Sequence, residues 1–253
     1  MLFSIITASY NSNFSIESCL TSILAQSIKQ VEIIVIDGQS TDGTVDKIQS
    51  LAEKHSNIKL VSEPDKGIYD ALNKGLALAS GDVIGFVHSD DMLAQTDILE
   101  KIQNCFTTKN IDGVYGDLEY VNRSDTNQVV RYWKSCSFSN SLLSKGWSPP
   151  HPTLYLKKSV YEKHGHFDLN FKISSDYDFM IRVFKDERLS CMYLSEIITK
   201  MRVGGASNKN LKNIIIKSLE DYKIIRKNKS GNLYTLIRKN TSKLSQFFSK
   251  RKN

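Results

Sequence analysis

Over the first third of the chain, short continuous apolar runs alternate with stretches in which apolar residues recur every three or four positions. The runs at 3–8, 31–36, 58–61 and from Val83 onward have the length and β-branched content of buried strands. Ile16, Cys19, Leu20, Ile23 and Leu24 fall on one helical face, with Ser15 in place to cap it. Val45, Ile48, Leu51 and Ala52 form a second such face, and 67–79 a third helix that Gly81 is expected to close. Strand and helix in strict alternation predict a mostly parallel sheet covered by helices on both faces, an α/β fold.

Parallel sheets bind ligands beyond the carboxyl ends of their strands. Thr7, Asp37 and the adjacent Asp90 and Asp91 all lie at those predicted ends, so one fold rule brings three distant segments to one crevice. From about Thr96 the pattern changes. A helix carrying Ile98, Leu99, Ile102 and Phe106 is followed by strand candidates at 113–121 and 129–133. The loop 145–152 holds three of the four prolines. A strand near 153–156, helices at 159–164 and from Ser174 through Phe184, and strand-like runs at 191–194 and 197–203 come next. Composition makes 204–208 a mobile loop. The expected organisation is a body of residues 1–208, divided into halves at 1–95 and 96–208, and a helical extension at 209–253.

Composition narrows the class. The content is that of a water-soluble globular chain, with 40% hydrophobic and 24% charged residues. No apolar run reaches the ~18 residues a membrane span needs. The first ten residues lack a basic stretch and a long apolar core, so they do not read as a signal peptide. Cys19, Cys105, Cys136 and Cys191 are scattered, which suits reduced thiols in a cytoplasmic protein and argues against a zinc or disulfide framework. The net charge of +7 is uneven: 209–253 carries thirteen Lys and Arg against Glu220 and Asp221, which leaves the first 208 residues at −4. A mildly acidic body with a basic tail, lacking interleaved aromatics, argues against nucleic acid as the partner.

The turn after the first strand, Ala8 to Ser12, has no glycine, and no P-loop lysine motif occurs, so glycine-nest phosphate binding is excluded. Neutralisation of a phosphate ligand falls instead to a divalent cation held by Asp90 and Asp91.

At this level of detail the chain resembles the family-two glycosyltransferases with a GT-A fold. The motifs that carry the likeness occur in order: Ser-Ile-Ile-Thr-Ala-Ser-Tyr-Asn at 4–11, Val-Ile-Asp-Gly-Gln-Ser-Thr-Asp-Gly-Thr at 35–44 and Glu-Pro-Asp-Lys-Gly-Ile-Tyr-Asp at 63–70. Gly-Asp at 81–82, His-Ser-Asp-Asp at 88–91 and Ser-Asp-Tyr-Asp at 175–178 follow. The flavour is that of bacterial polysaccharide-assembly enzymes of colanic-acid type. The resemblance implies an inverting, metal-dependent transfer from a nucleotide-diphosphate sugar to a glycan or lipid-linked glycan acceptor. It implies that Thr7 and Asp37 hold the base and ribose, that Asp90 contacts ribose or metal, and that Asp91 ligates Mn²⁺ or Mg²⁺. Asp176 would be the base that deprotonates the acceptor. The sequence departs from the pattern at His88, Ser89 and Ser175, where the family often carries acids. Two rivals stand beside this reading: a sugar-nucleotide nucleotidyltransferase, and a non-catalytic glycan- or nucleotide-binding relative.

Several residues have a structural and a functional reading side by side. Asp65 and Lys66 precede a helix and are placed to touch donor base or phosphates; His151 and Trp147, in the proline-rich loop, either line the site or anchor the loop. Asp176 is either the base or a helix cap, and Asp178 a first-turn charge favoured by the helix dipole. Asn73 and His88 read as structural. Arg202 and the 204–205 glycines are candidates to close over the diphosphate. In the tail, Leu236, Ile237, Leu244, Phe247 and Phe248 among basic residues suggest peripheral attachment to the anionic inner face of the cell membrane.

Overall fold

The computed structural model describes residues 1–204 and 211–242. Strands β1 (Phe3–Ser9), β2 (Val31–Asp37), β3 (Ile58–Ser62) and β4 (Val83–Phe86) form a parallel half-sheet in the order β3-β2-β1-β4. Helices α1 (Ile16–Leu24), α2 (Thr44–Ala52) and α3 (Ile68–Leu78) are its crossovers. The sheet continues through β8 (Tyr155–Lys157), β6 (Gly113–Val121), β9 (Cys191–Arg202) and β5 (Asp91–Leu93), with β7 (Val129–Trp133) paired to β6. This second half is mixed: β8 runs antiparallel to β4 and β6, β5 antiparallel to β9, and β6 parallel to β9.

Alternation along β1 shows why the runs are continuous rather than patterned. Phe3 and Ile5 face a core shared with α1, α2 and α4 (Ile98–Thr108), whereas Ile6 and Ala8 face one shared with α3, α5 (Lys158–His164) and α6 (Ser175–Phe184). Both faces are dry, so both sets must be apolar. A third cluster docks α7 (Leu211–Lys227): Ile224 and Ile225 are fully buried against Phe171, Tyr177 and Ile181. Burying two such side chains contributes ~1.5–3 kcal/mol each. Leu236 of α8 (Leu233–Ser242) joins them.

Local chemistry differs from expectation at two helix ends. Ser15 occupies the N-cap position of α1, yet its side chain makes no capping bond. Gly81 does not close α3, whose C-cap is Ala79 in an extended conformation. Gly81 serves close approach instead, because a Cβ there would lie 2.7 Å from the Ser4 backbone nitrogen. Gly85, in β4, is similarly constrained. A Cβ would lie 2.2 Å from Cε1 of the fully buried Tyr155 ring. Gly85→Ala therefore should cost ~1–3 kcal/mol through overpacking, read as a lower midpoint in thermal unfolding; an unchanged midpoint would contradict the packing.

Candidate active site

The segment expected to be one strand ending in two acids is two strands joined by a turn. β4 stops at Phe86, the Asp91 amide donates to the His88 carbonyl at 2.9 Å, and β5 begins at Asp91. Ser89 and Asp90 occupy the turn and line a cleft of about 690 Å³, a size suited to a small-molecule ligand. Asp91, in a strand, obeys alternation: it shares a face with Leu93, which packs into the core on the α1 side. Both Asp91 carboxylate oxygens are buried without a hydrogen-bond partner. Burial, then the Asp90 charge, push this carboxyl well above the usual range and favour its neutral form. The two acids expected to share a metal are thus placed differently: Asp90 lines the cleft and Asp91 does not.

The cleft lies where the fold rule puts it, at the carboxyl ends of β1 and β2. Ser9 and Gly38 form its floor, and Asp65 closes one end. Gly38 lets the Asp65 side chain approach closely: a Cβ there would lie 2.6 Å from Asp65 Oδ2, so that carboxylate would have to shift. The exposed ring of Tyr10 borders the same end. At the other end stand two guanidinium groups, those of Arg123 and Arg202. Arg202 is nearly buried and held from three sides: Nη1 donates to the Asp90 carbonyl at 2.9 Å, Nη2 to Ser18 Oγ at 3.0 Å, and Nε to the Arg123 carbonyl at 3.2 Å. It fastens the acidic turn to the strand that carries it.

Asp176, half-buried in the first turn of α6, is not among the residues that line this cleft. The Tyr69 hydroxyl shares its proton between Asp176 Oδ1 at 2.9 Å and the Ile173 carbonyl at 2.7 Å. Burial, then the Asp176 charge, hold that phenol well above its ordinary range, so it stays a donor. Burial lowers the His88 pKa against the opposing charges of Asp90 and Asp176. Its ring is 5.8 Å from that of His151, which stacks on Phe86 at 5.2 Å. Burial lowers the pKa of both imidazoles, that of His151 to about 4, so both are neutral at pH 7. His88 Nδ1 and His151 Nε2 are buried without hydrogen-bond partners.

The other expected residues are placed as follows. Thr7 is fully buried on the α1 face, beneath rather than in the cleft. Asp37 is fully buried at the end of β2; its carboxylate accepts from the Ser40 amide and hydroxyl, at 2.8 and 2.5 Å, and from Ser62 Oγ at 2.9 Å. Lys66 is exposed and does not line the cleft. Trp147 packs between Phe138 and Phe184, each 5.5 Å away, as a loop anchor. Asn73 clips Phe167 through both its backbone groups. Asp178 is buried and bound to Arg182 at 2.9 Å. Gly204 borders the cleft, and Gly205 lies outside the described residues. Sequence reasoning missed Tyr10, Phe14 and Arg123, whose roles depend on the β6–β7 connection folding back over the β1–α1 turn. The Arg123 guanidinium lies 5.5 Å from the Phe14 ring centroid, the one local sign of that contact.

Among the described residues no group of three or more His, Cys, Asp or Glu is poised to hold an ion unaided. Magnesium-type ions need no such cage when one or two carboxylates share them with substrate phosphates. Of the two adjacent acids, Asp90 is the one that lines the cleft and would hold such an ion.

The architecture is that of GT-A enzymes. It superposes on S. aureus TarS 1–349 in complex with UDP-GlcNAc with a TM-score of 0.70 at 20% identity, covering 90% of this chain and 65% of that one. It also matches the mannosyltransferase PcManGT of Pyrobaculum calidifontis, solved with GDP-Man and Mn²⁺, with a TM-score of 0.63 at 18% identity, covering 98% of this chain and 75% of that one. In sequence it is similar to a PGL/p-HBAD biosynthesis glycosyltransferase of Mycobacterium tuberculosis, 29% identical over 82% of this chain and 79% of the relative. A second relative, an uncharacterized glycosyltransferase of the same organism, is 31% identical over 71% of this chain and 67% of its own length. The family model described as Glycosyl transferase family 2 matches residues 4–173, and the chain belongs to that family. It is a glycosyltransferase.

Proposed function

We propose that this enzyme transfers a sugar, with inversion, from a nucleotide-diphosphate sugar to an acceptor hydroxyl, with Asp90 the residue that would hold a divalent cation for the reaction. The observation that carries the reading is the cleft lined by Asp90, Arg123 and Arg202, with Arg202 bonded to the Asp90 and Arg123 carbonyls. Tyr10, Gly38 and Asp65 receive the base, and the arginine end receives the phosphates. The acceptor oxygen forms a bond to the anomeric carbon as the bond to the diphosphate breaks; its proton passes to Asp176, and the departing charge stays on the diphosphate. A cation bound there supplies Lewis-acid neutralisation of that charge. Support for donor class and metal comes from the structural neighbours holding UDP-GlcNAc or GDP-Man with Mn²⁺. Transfer in bacterial surface-polysaccharide assembly belongs to the same proposal. Incubation with UDP-, GDP- and dTDP-sugars should release nucleoside diphosphate from one donor class, with Mn²⁺ or Mg²⁺ required and chelation stopping it. No release from any donor with metal present would overturn the reading.

The same proposal includes the membrane. Among the described residues no helix is long and apolar enough to cross one. The two acids of the tail turn inward: Glu220 and Asp221 are buried, Asp221 paired with Lys239 at 2.7 Å. The outer surface of α7 and α8 carries Ile215, Leu219, Leu233, Tyr234 and Ile237 exposed among basic side chains, a composition that suits anionic lipid. Leu236 points into the protein rather than outward, and Leu244, Phe247 and Phe248 lie outside the described residues. Truncation before α8 would strip Lys239 from Asp221, so substitution tests the idea more cleanly. Full-length protein with Leu233, Tyr234 and Ile237 all changed to Ser should sediment less with phosphatidylglycerol vesicles than wild type does. Equal sedimentation counts against membrane docking.

A further inference from the structure

Glu220 lies on α7, far along the chain from the site, yet its carboxylate holds the backbone that leads into Asp176. Oε1 accepts from the Lys172 amide at 2.8 Å; Oε2 accepts from the Ile173 amide at 2.9 Å and the Ser174 amide at 3.0 Å. Three successive amides aimed at one buried carboxylate make a nest for negative charge, and charge-assisted bonds of this kind are short and strong. Ser174 is the N-cap position of α6 and makes no capping bond of its own. Of the three, the Ser174 amide is one that the helix start leaves open, and the other two belong to the backbone that leads into it.

The same short segment is gripped from its opposite side. Ile173 gives its amide to Glu220 and its carbonyl to the Tyr69 hydroxyl, the group that also touches Asp176. Glu220 is in turn seated by its own helix. Ile224 and Ile225 are buried against Phe171 and Tyr177, and the Asp221–Lys239 pair ties α7 to α8. The Lys239 ammonium stands 3.0 Å from the centroid of the Tyr177 ring, next in sequence to Asp176. The basic extension is thus continuous with the backbone that carries the proposed base.

We infer that Glu220 is a positioning residue for the transfer reaction: its carboxylate fixes the 172–174 backbone, and through it and Tyr69 the aim of the Asp176 carboxylate. The inference rests on the reading of Asp176 as the base. A displacement of about 1 Å at a reacting group is enough to cost on the order of 10²-fold. The experiment uses the full-length chain, the donor identified by the panel above, release of UDP or GDP as the rate, and affinity for free UDP or GDP with Mn²⁺ as the binding control. Glu220→Ala should lower kcat about 10- to 100-fold and leave nucleoside diphosphate affinity within about twofold. Glu220→Gln, which retains one acceptor oxygen, should fall between it and wild type; if Glu220→Ala fails to fold, a kcat loss in Glu220→Gln at unchanged affinity carries the test. In an Asp176→Asn background, Glu220→Ala should add less than about a further twofold, because residues acting through one group are non-additive. Wild-type kcat in the folded Glu220 variants, or the same fold-loss in both backgrounds, overturns the positioning role. Wild-type turnover in Asp176→Asn overturns the base reading itself and this inference with it.

Discussion

Asp90→Asn is expected to lower metal-dependent turnover of the donor by about 10²- to 10³-fold, whereas Asp91→Asn should leave most of it. The neighbours differ by one position and by whether they line the cleft. Asp90 sits in the turn between β4 and β5 with its side chain at the cleft. Removing its charge removes the protein's hard oxygen donor at the phosphate end. A cation that neutralises a departing diphosphate is worth several kcal/mol, and each 1.36 kcal/mol is tenfold in rate. Asp91 is the first residue of β5, on the face it shares with the core residue Leu93, with both oxygens buried away from the cleft lining. An amide of nearly the same shape fills that packed position without altering the cleft lining. Titration of nucleoside diphosphate release against Mn²⁺ for both variants reads the difference, and the opposite ranking would return the metal to Asp91.

That contrast marks how far the sequence reaches. The parallel half of the fold is legible because β1, β2 and β4 are buried on both faces and their crossover helices have clear apolar stripes. The position of the cleft follows from the same pattern, since strand ends in a parallel sheet converge. What a linear reading misses is direction. The apolar run through Val87 and His88 hides a reversal of the chain, and one residue of register in a strand decides whether an acid meets ligand or core. Thr7 shows a second limit, depth along the strand: it shares the α1 face with Ser9, but Ser9 ends β1 and lines the cleft while Thr7, two residues earlier, is fully buried. Asp37 stands at the expected strand end, but Ser40 and Ser62 occupy its oxygens. Contacts made by distant loops, such as Arg123 with Phe14, leave no periodic signal. Nor do the three amides that Glu220 gathers, because a carboxylate between leucine and aspartate on a basic helix looks like solvent-facing charge.

Asp176→Asn should keep donor binding and lose transfer. The residue stands in the first turn of α6, where a carboxylate gains ~0.3–1 kcal/mol from the helix dipole, but it is not the cap: Ser174 holds that position. A purely structural acid there would tolerate the amide at the cost of that small term. The substitution keeps an oxygen for the Tyr69 hydroxyl, 2.9 Å away, so the local geometry survives. What it removes is the capacity to take a proton from the acceptor, a role that typically contributes ~10²–10⁴-fold. Affinity for UDP or GDP with Mn²⁺ should therefore stay within about twofold, while turnover falls by at least about 10²-fold. Tyr69→Phe supplies the internal contrast. It deletes one donor to Asp176 but leaves the base in place, so its loss should be about tenfold or less, in keeping with one hydrogen bond of ~0.5–1.5 kcal/mol. If Asp176→Asn and wild type turned over at equal rates, proton removal would have to be assigned elsewhere, with the unpartnered His88 and His151 nitrogens the next groups to test.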